Sequence, residues 1–342
     1  MKYTKLIIFL IISTLILSCH EDKKYNIELK GNTMGTYYLV SLVDVPKNLS
    51  KKEIEIEIKN TLLEANKILS NWDKSSEISK LNNNKTIKPI QISNELFDVV
   101  SEANSINTKS NGYFDITLDP LIELWGFGYS KSKIIDRVPS KDKIRDTLTL
   151  VNQNLLLEIN SNNQLIKKNK NVRLNLSAIG KGYGIDLIGK KLDYLNINNY
   201  IIDIGGDIFA KGHNKNNKDW VVGIENPKLN EKLIKEIVNV SNKGVATSGE
   251  YKNYFSKDGT KYSHIINPKN GMPITHSTKS VTVVDKNAMS ADGWATALIA
   301  MGSEVGLKVA EKEKIAVMFI DQVEDKLLKI KSSEFKFFKQ EN

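Results

Sequence analysis

A carboxylate and a hydroxyl stand four residues apart at Asp292 and Thr296, inside a small-residue run from Ala288 to Met301 that reads as a buried helix. At that spacing their oxygens leave one face of the helix about one turn apart. A hard oxygen pair of this kind suits Mg2+, which keeps its other positions for water and substrate phosphates. The alternative is an Asp that complements the helix dipole and a Thr packed in the core. His264 is the second candidate. It lies in a stretch, Lys261 to Ile266, that reads as a strand, and Pro268 and Gly271 mark a turn behind it. The other histidines, His20, His213 and His276, sit in polar settings without such a neighbourhood. An imidazole at a strand end can take a proton near neutral pH as a general base, or simply hydrogen-bond the adjacent turn.

Two glycine-marked segments add further possibilities. Asn175 to Asp186 reads as a glycine-punctuated entry into a helix, with Lys181 between Gly180 and Gly182. Backbone N–H groups at such a start, together with an ammonium, can cradle phosphate oxygens. The spacing is neither that of a Walker A loop nor that of a G-x-G-x-x-G fingerprint, and helix packing against small residues explains the glycines equally well. In Ile201 to Asp207 a strand runs into Gly205 and Gly206 with acids on both sides. That pattern reads first as a sharp turn, with Asp203 and Asp207 as structural partners.

The elements that must position these groups follow from periodicity. Tyr25 to Val45 alternates apolar and polar residues around Gly31 and Gly35, as two strands and a turn. Ile54, Ile58, Leu62, Ala65 and Leu69 recur at helical spacing over Lys51 to Leu69. A second helix starts at Ser93 as N-cap, carries Leu96, Val99, Val100, Ala103 and Ile106 on one face, and stops before Gly112. Leu150 to Leu174 reads as hairpins broken by the Asn-rich turn at Asn160 to Asn163. A helix should follow Asn175, and Tyr200–Ile204, Trp220–Ile224 and Ser280–Val284 read as strands. Irregular alternation of strands and helices points to an α+β domain with a mixed sheet rather than a repeated β-α-β unit.

The chain has 342 residues, 40% of them hydrophobic, which is ample for a core. Lys2 and Lys5 precede an apolar run from Leu6 to Leu17, short for a bilayer span and suited to a signal-peptide core. Ser18 then precedes Cys19, the single cysteine of the chain. Residues 1–18 therefore read as a lipoprotein signal, Cys19 as the lipidated residue and 19–26 as a tether, and one cysteine excludes an internal disulfide. Removal of residues 1–18 takes away two lysines, so the net charge of +9 falls to 9 − 2 = +7. The positive charge is dispersed lysine with few arginines, which argues against nucleic-acid binding and for a solvated surface that tolerates anionic lipid headgroups.

Read as an ordered set, these segments resemble the ApbE family, the FAD:protein FMN transferases. Further matches are Met34-Gly35-Thr36, the run from Ser70 through Trp72 to Asn82, and Gly112 to Leu121, so that the resemblance extends from about residue 31 to residue 302. It implies an ApbE-like single α+β domain over residues 27–342, with a mixed, largely antiparallel sheet and packed helices. It implies that Met34, Trp72, Tyr113, Phe114, Asp115, Asn175 and Lys181 bind FAD, with His264 to Ile266 beside the diphosphate. Asp292 and Thr296 would hold Mg2+, joined by the carbonyl of Ala178, and His264 would accept the proton of an attacking hydroxyl. The implied partners are FAD and an acceptor flavoprotein with a Thr or Ser flavinylation motif, a membrane redox subunit, met by an exported enzyme lipid-anchored to the outer face of the cytoplasmic membrane. Two departures from the family pattern stand out: Asn175 replaces an Asp and cannot supply charge, and Trp72 replaces a common Tyr but stacks at least as well. An Mg2+-dependent FAD pyrophosphatase and a non-catalytic flavin-binding lipoprotein are the alternatives.

Overall fold

The computed structural model describes residues 25–129, 138–225, 236–251 and 253–338, so the signal segment and Cys19 lie outside the described residues. Its frame is an eight-stranded sheet: β1 (Tyr25–Thr33), β2 (Thr36–Val45), β3 (Asn199–Ile204), β4 (Asp207–Lys211), β5 (Lys243–Gly249), β6 (Thr278–Asp285), β7 (Ala316–Val323) and β8 (Lys326–Lys331). The strands lie side by side in chain order, and all seven ladders between neighbours are antiparallel. The expected α+β fold with a largely antiparallel sheet is thus realised as a meander with long helical insertions. Among the described residues parallel pairing appears as the isolated bridge between Ala210 and Ser241.

The β1–β2 connection is a two-residue turn in which Met34 and Gly35 both take positive φ, +49° and +75°, the combination that matches the twist of a tight hairpin. Tyr25 and Asn26, expected in the tether, already belong to β1: Tyr25 pairs with Val45 and its hydroxyl donates to the Leu49 carbonyl. Helix α1 (Lys51–Leu69) carries a full capping box, Ser50 with Glu53, and buries the face read from the sequence. In α2 (Asn94–Lys109) the Ser93 hydroxyl accepts from the Leu96 N–H, and the chain leaves the helix through Asn111 and Gly112 at positive φ. Helices α3 (Gly180–Tyr194), α4 (Ala288–Met301) and α5 (Ser303–Glu313) complete the helical layer. The opposite face of the sheet is covered where Val245, Val284 and Met318 pack against Val238 of the hairpin 221–239 and against Phe335.

Three elements differ in extent from the sequence reading. Helix α3 starts at Gly180 rather than directly after Asn175, because the Asn175 side chain accepts from the Ser177 N–H at 3.0 Å and its own N–H donates to the Ile116 carbonyl, holding 175–179 as a loop. The strand expected over Lys261 to Ile266 ends at Ser263, since Ile266 turns back to bridge Pro273. The strand at Val221–Ile224 belongs to a separate hairpin with Glu236–Asn239, outside the main sheet. No helix among the described residues is long and apolar enough to cross a membrane.

Helix α4 is buried almost throughout, and its first turn is held on three sides. Asp186 of α3 accepts from the N–H groups of Ala288 and Met289 at 2.9 and 3.0 Å, and the Asn287 side chain caps the Ser290 N–H. Two glycines permit the approach. A Cβ at Gly182 would lie 2.2 Å from the Ala288 oxygen, and one at Gly244 would lie 2.4 Å from the Asn287 carbonyl. Alanine would favour helix α3 by about 1 kcal/mol in propensity, but the clash is with backbone that cannot swing aside. Gly182→Ala is therefore expected to lower unfolding stability by about 1–3 kcal/mol, read from the midpoint of urea denaturation; a stabilised protein would show that the two helices are less tightly opposed.

Candidate active site

A cleft of about 380 Å³ opens between the helical layer and the ends of the strands. Its wall draws Met34 from the first hairpin, Tyr113, Phe114 and Asp115 from the loop after α2, Ala178 from the loop before α3, Lys181 from the first turn of α3, His264 and Ile266 from the segment after the Thr260–Ser263 strand, and Asp292 and Thr296 from α4. All the candidates within the described residues meet here except Trp72 and Asn175. Thr36, Ser177, Thr247 and Ser248 join them. Thr36 and Ser177 lie in segments already singled out, whereas nothing local marks Thr247 and Ser248, because the register of β5 against β6 decides which side chains of Val245 to Gly249 face the cleft.

The polar centre is Asp292, which is 3% exposed. One carboxylate oxygen accepts from the Gly182 N–H at 3.0 Å, a free donor of the first turn of α3, and the other faces the Lys181 ammonium at 3.3 Å. Lys181 also pairs, more tightly, with Asp207, whose second oxygen accepts from the Thr247 N–H at 3.2 Å. Burial pushes the Asp292 carboxyl well above the ordinary carboxylate range; Lys181 opposes the rise and Asp207 adds to it. For Lys181 burial alone would lower the value, and the two carboxylates outweigh it and hold the ammonium charged.

One turn along α4, the Thr296 hydroxyl lies 3.4 Å from both the Ala178 carbonyl and the Ser248 hydroxyl. At 3.4 Å the Ala178 contact is long for a hydrogen bond, so the two oxygens are only weakly committed to one another. A carboxylate and a hydroxyl from α4 and a carbonyl from the loop before α3 thus offer a donor set of the hard-oxygen type that suits a hard cation. Among the described residues no cluster of three or more His, Cys, Asp or Glu could hold a metal, so any such site here must recruit hydroxyl and carbonyl oxygens.

His264 stands across the cleft. Its Nδ1 lies 2.8 Å from the Asn253 carbonyl, which can only accept, so Nδ1 carries a proton. The edge of its ring meets Phe127 at 6.3 Å. Asp115 lines the wall, but its oxygens accept from the N–H groups of Thr117 and Gln153 at 2.7 and 2.9 Å, so the carboxylate fixes the loop that carries Tyr113 and Phe114. Met34 reaches over α3, where a Cβ at Gly184 would be 2.8 Å from its methyl carbon. Trp72 sits outside the cleft wall: its loop is tied by Asn71 to the Leu174 carbonyl, its indole is 69% exposed, and it meets Tyr129 edge-on at 6.2 Å.

With this geometry in hand, comparison with known proteins is informative. The ApbE family matches residues 34–319. The chain belongs to the ApbE family. A relative from Vibrio cholerae serotype O1, named FAD:protein FMN transferase, is 38% identical over 328 residues, covering 95% of this chain and 96% of its own. One from Escherichia coli K12 with the same name is 32% identical over 312 residues, 91% of this chain and 88% of its own. Among solved ApbE structures, the flavin transferase ApbE from Vibrio cholerae superposes with a TM-score of 0.85 at 36% identity, covering 92% of this chain and 99% of that one. The apo Pseudomonas stutzeri flavinyl transferase ApbE gives 0.84 at 31% identity, covering 92% and 97%.

Asn175 does not line the cleft. Its amide donates to Asp119 at 3.1 Å, and Arg173 lies 2.9 Å from the other oxygen of that carboxylate. Asp119 is fully buried, and burial pushes its carboxyl up to about 6 despite Arg173 and Asn175. A second carboxylate at 175 would remove a donor and add like charge. Because the folded value of Asp119 is already raised, its ionisation costs stability as pH rises through about 6. Asn175→Asp is expected to deepen that cost by about 1–3 kcal/mol at neutral pH, with the deficit closing in acid where the pair holds a proton. Equal stability of variant and parent at neutral pH, measured by urea unfolding, would contradict this account.

Proposed function

We propose that this chain cleaves FAD at its diphosphate and transfers the FMN half to a Thr or Ser hydroxyl of an acceptor flavoprotein, releasing AMP, with Mg2+ as the required cation. The observation that carries the reading is the meeting in one cleft of an oxygen donor set, a lysine, a histidine and an apolar and aromatic wall of Met34, Tyr113, Phe114 and Ile266. The names of the ApbE relatives support the same chemistry.

Each group has a distinct task. The wall takes the flavin ring and excludes water from it. Lys181 and the first-turn N–H groups of α3 face the negative charge of the diphosphate. Asp292, Thr296 and the Ala178 carbonyl would hold the cation, which supplies charge neutralisation as the bond between the phosphates breaks. His264 accepts the proton of the acceptor hydroxyl on Nε2 while Asn253 steadies Nδ1, and the hydroxyl oxygen bonds to the FMN phosphorus as AMP leaves. We further infer export with a lipid on Cys19, which would place the cleft at the outer face of the cytoplasmic membrane beside membrane redox subunits; Cys19→Ala should then abolish labelling by radioactive palmitate.

The test is incubation with FAD, Mg2+ and a flavin-acceptor domain, following AMP release and flavin fluorescence of the acceptor on a denaturing gel. A fluorescent band lost on EDTA treatment is expected, and Asp292→Ala should abolish it while leaving a folded protein. His264→Ala should slow transfer by roughly 10²–10⁴-fold with FAD still bound. AMP released without a labelled acceptor would replace the transferase with a hydrolase, and FAD bound without AMP would replace it with a binding protein.

A further inference from the structure

Two buried acids share one lysine at the floor of the cleft. Asp207 is 2% exposed and lies behind the cleft wall rather than in it. It is delivered there by the turn through Gly205 and Gly206, both at positive φ, and it opens β4. Its oxygens are fully engaged, one by the Thr247 N–H at 3.2 Å and the other by the Lys181 ammonium. Lys181 meanwhile lies 3.3 Å from the Asp292 oxygen that the Gly182 N–H leaves unbonded.

An ammonium and a divalent cation both compete for that oxygen, and in buried surroundings two cations on one carboxylate repel strongly. With all three groups ionised the cluster carries 1 − 2 = −1, and it can accept a divalent cation while the lysine keeps a partner in Asp207. Without the Asp207 charge, Lys181 and Asp292 close into a neutral pair and the lysine has nowhere else to go. We propose that Asp207 is a positioning residue that holds the Lys181 ammonium to one side, so that Asp292 can take a divalent cation without expelling the lysine. This rests on Asp292 being a cation ligand.

Calorimetric titration of the purified full-length protein with MgCl2, without FAD, tests it. Asp207→Asn should weaken Mg2+ binding by roughly tenfold or more, and adding Lys181→Met in the same chain should recover most of the loss. Asp207→Glu, which keeps the carboxylate, should bind better than Asp207→Asn. Unchanged binding in Asp207→Asn overturns the proposal, and so does a loss that Lys181→Met leaves in place, since that marks Asp207 as a merely structural anchor of the turn. Should Asp207→Asn fail to fold, Lys181→Met alone must bind Mg2+ at least as tightly as the parent, and weaker binding overturns the proposal. Asp292→Asn separates the two levels: if it binds Mg2+ like the parent, the cation site itself lies elsewhere and the role of Asp207 falls with it.

Discussion

The first turn of the helix Ala288–Met301 is the constraint on which the rest of the structure depends. Its backbone is pressed between Gly182 and Gly244 and its N–H groups are bound by Asp186, so a helix, a strand and a second helix are locked at backbone contact. That contact sets the height of Asp292 against the start of α3, where the Gly182 N–H can reach its carboxylate. A side chain at either glycine would separate the layers and draw Asp292 and Thr296 away from Ala178 together. Packing and electrostatics are therefore one problem here: the same glycine that lets the helices touch also supplies the donor that steadies the buried charge.

Around that junction the cleft is assembled from insertions into a plain antiparallel frame. The sheet contributes ends of strands, Thr247 and Ser248 among them, while the helices and loops between strands bring the reactive groups. Charge is concentrated at Asp207, Lys181 and Asp292, and Met34, Tyr113, Phe114 and Ile266 add apolar and aromatic surface to the same cleft. A ligand with a flat ring at one end and a diphosphate in its middle matches that combination.

Much of this was legible in the chain because short-range periodicity encodes it. The helix Lys51–Leu69 matched its apolar spacing from end to end, Ser93 capped its helix as read, and Asp292 and Thr296 shared a face because four residues make about one helical turn. The strand Ala316–Val323 was not read: its unbroken apolar run has no alternation to separate a buried strand from a buried helix. The pairing of Lys181 with Asp207 was equally hidden, since 26 residues and a sheet register separate the partners. The neighbour of Trp72, Tyr129, was hidden for the same reason, since it comes from a different loop.

The order of the strands carries a consequence for how the chain acquires its shape. The longest gap between neighbouring strands of the sheet separates β2 from β3, which must wait for everything from residue 46 to residue 198 to be made. Until then the first hairpin has a bare inner edge, and two of its outward side chains, Tyr37 and Leu39, remain 49% and 40% exposed even in the finished fold. An emerging chain thus presents a sticky ribbon with no partner of its own for nearly half its length, the circumstance in which edge strands find other chains. The early helix Lys51–Leu69, strongly capped and packed through Ile54, Ile58 and Leu62 against Ile27, Leu29 and Val40, is what such a chain has to shelter one face of that ribbon before its true neighbour arrives.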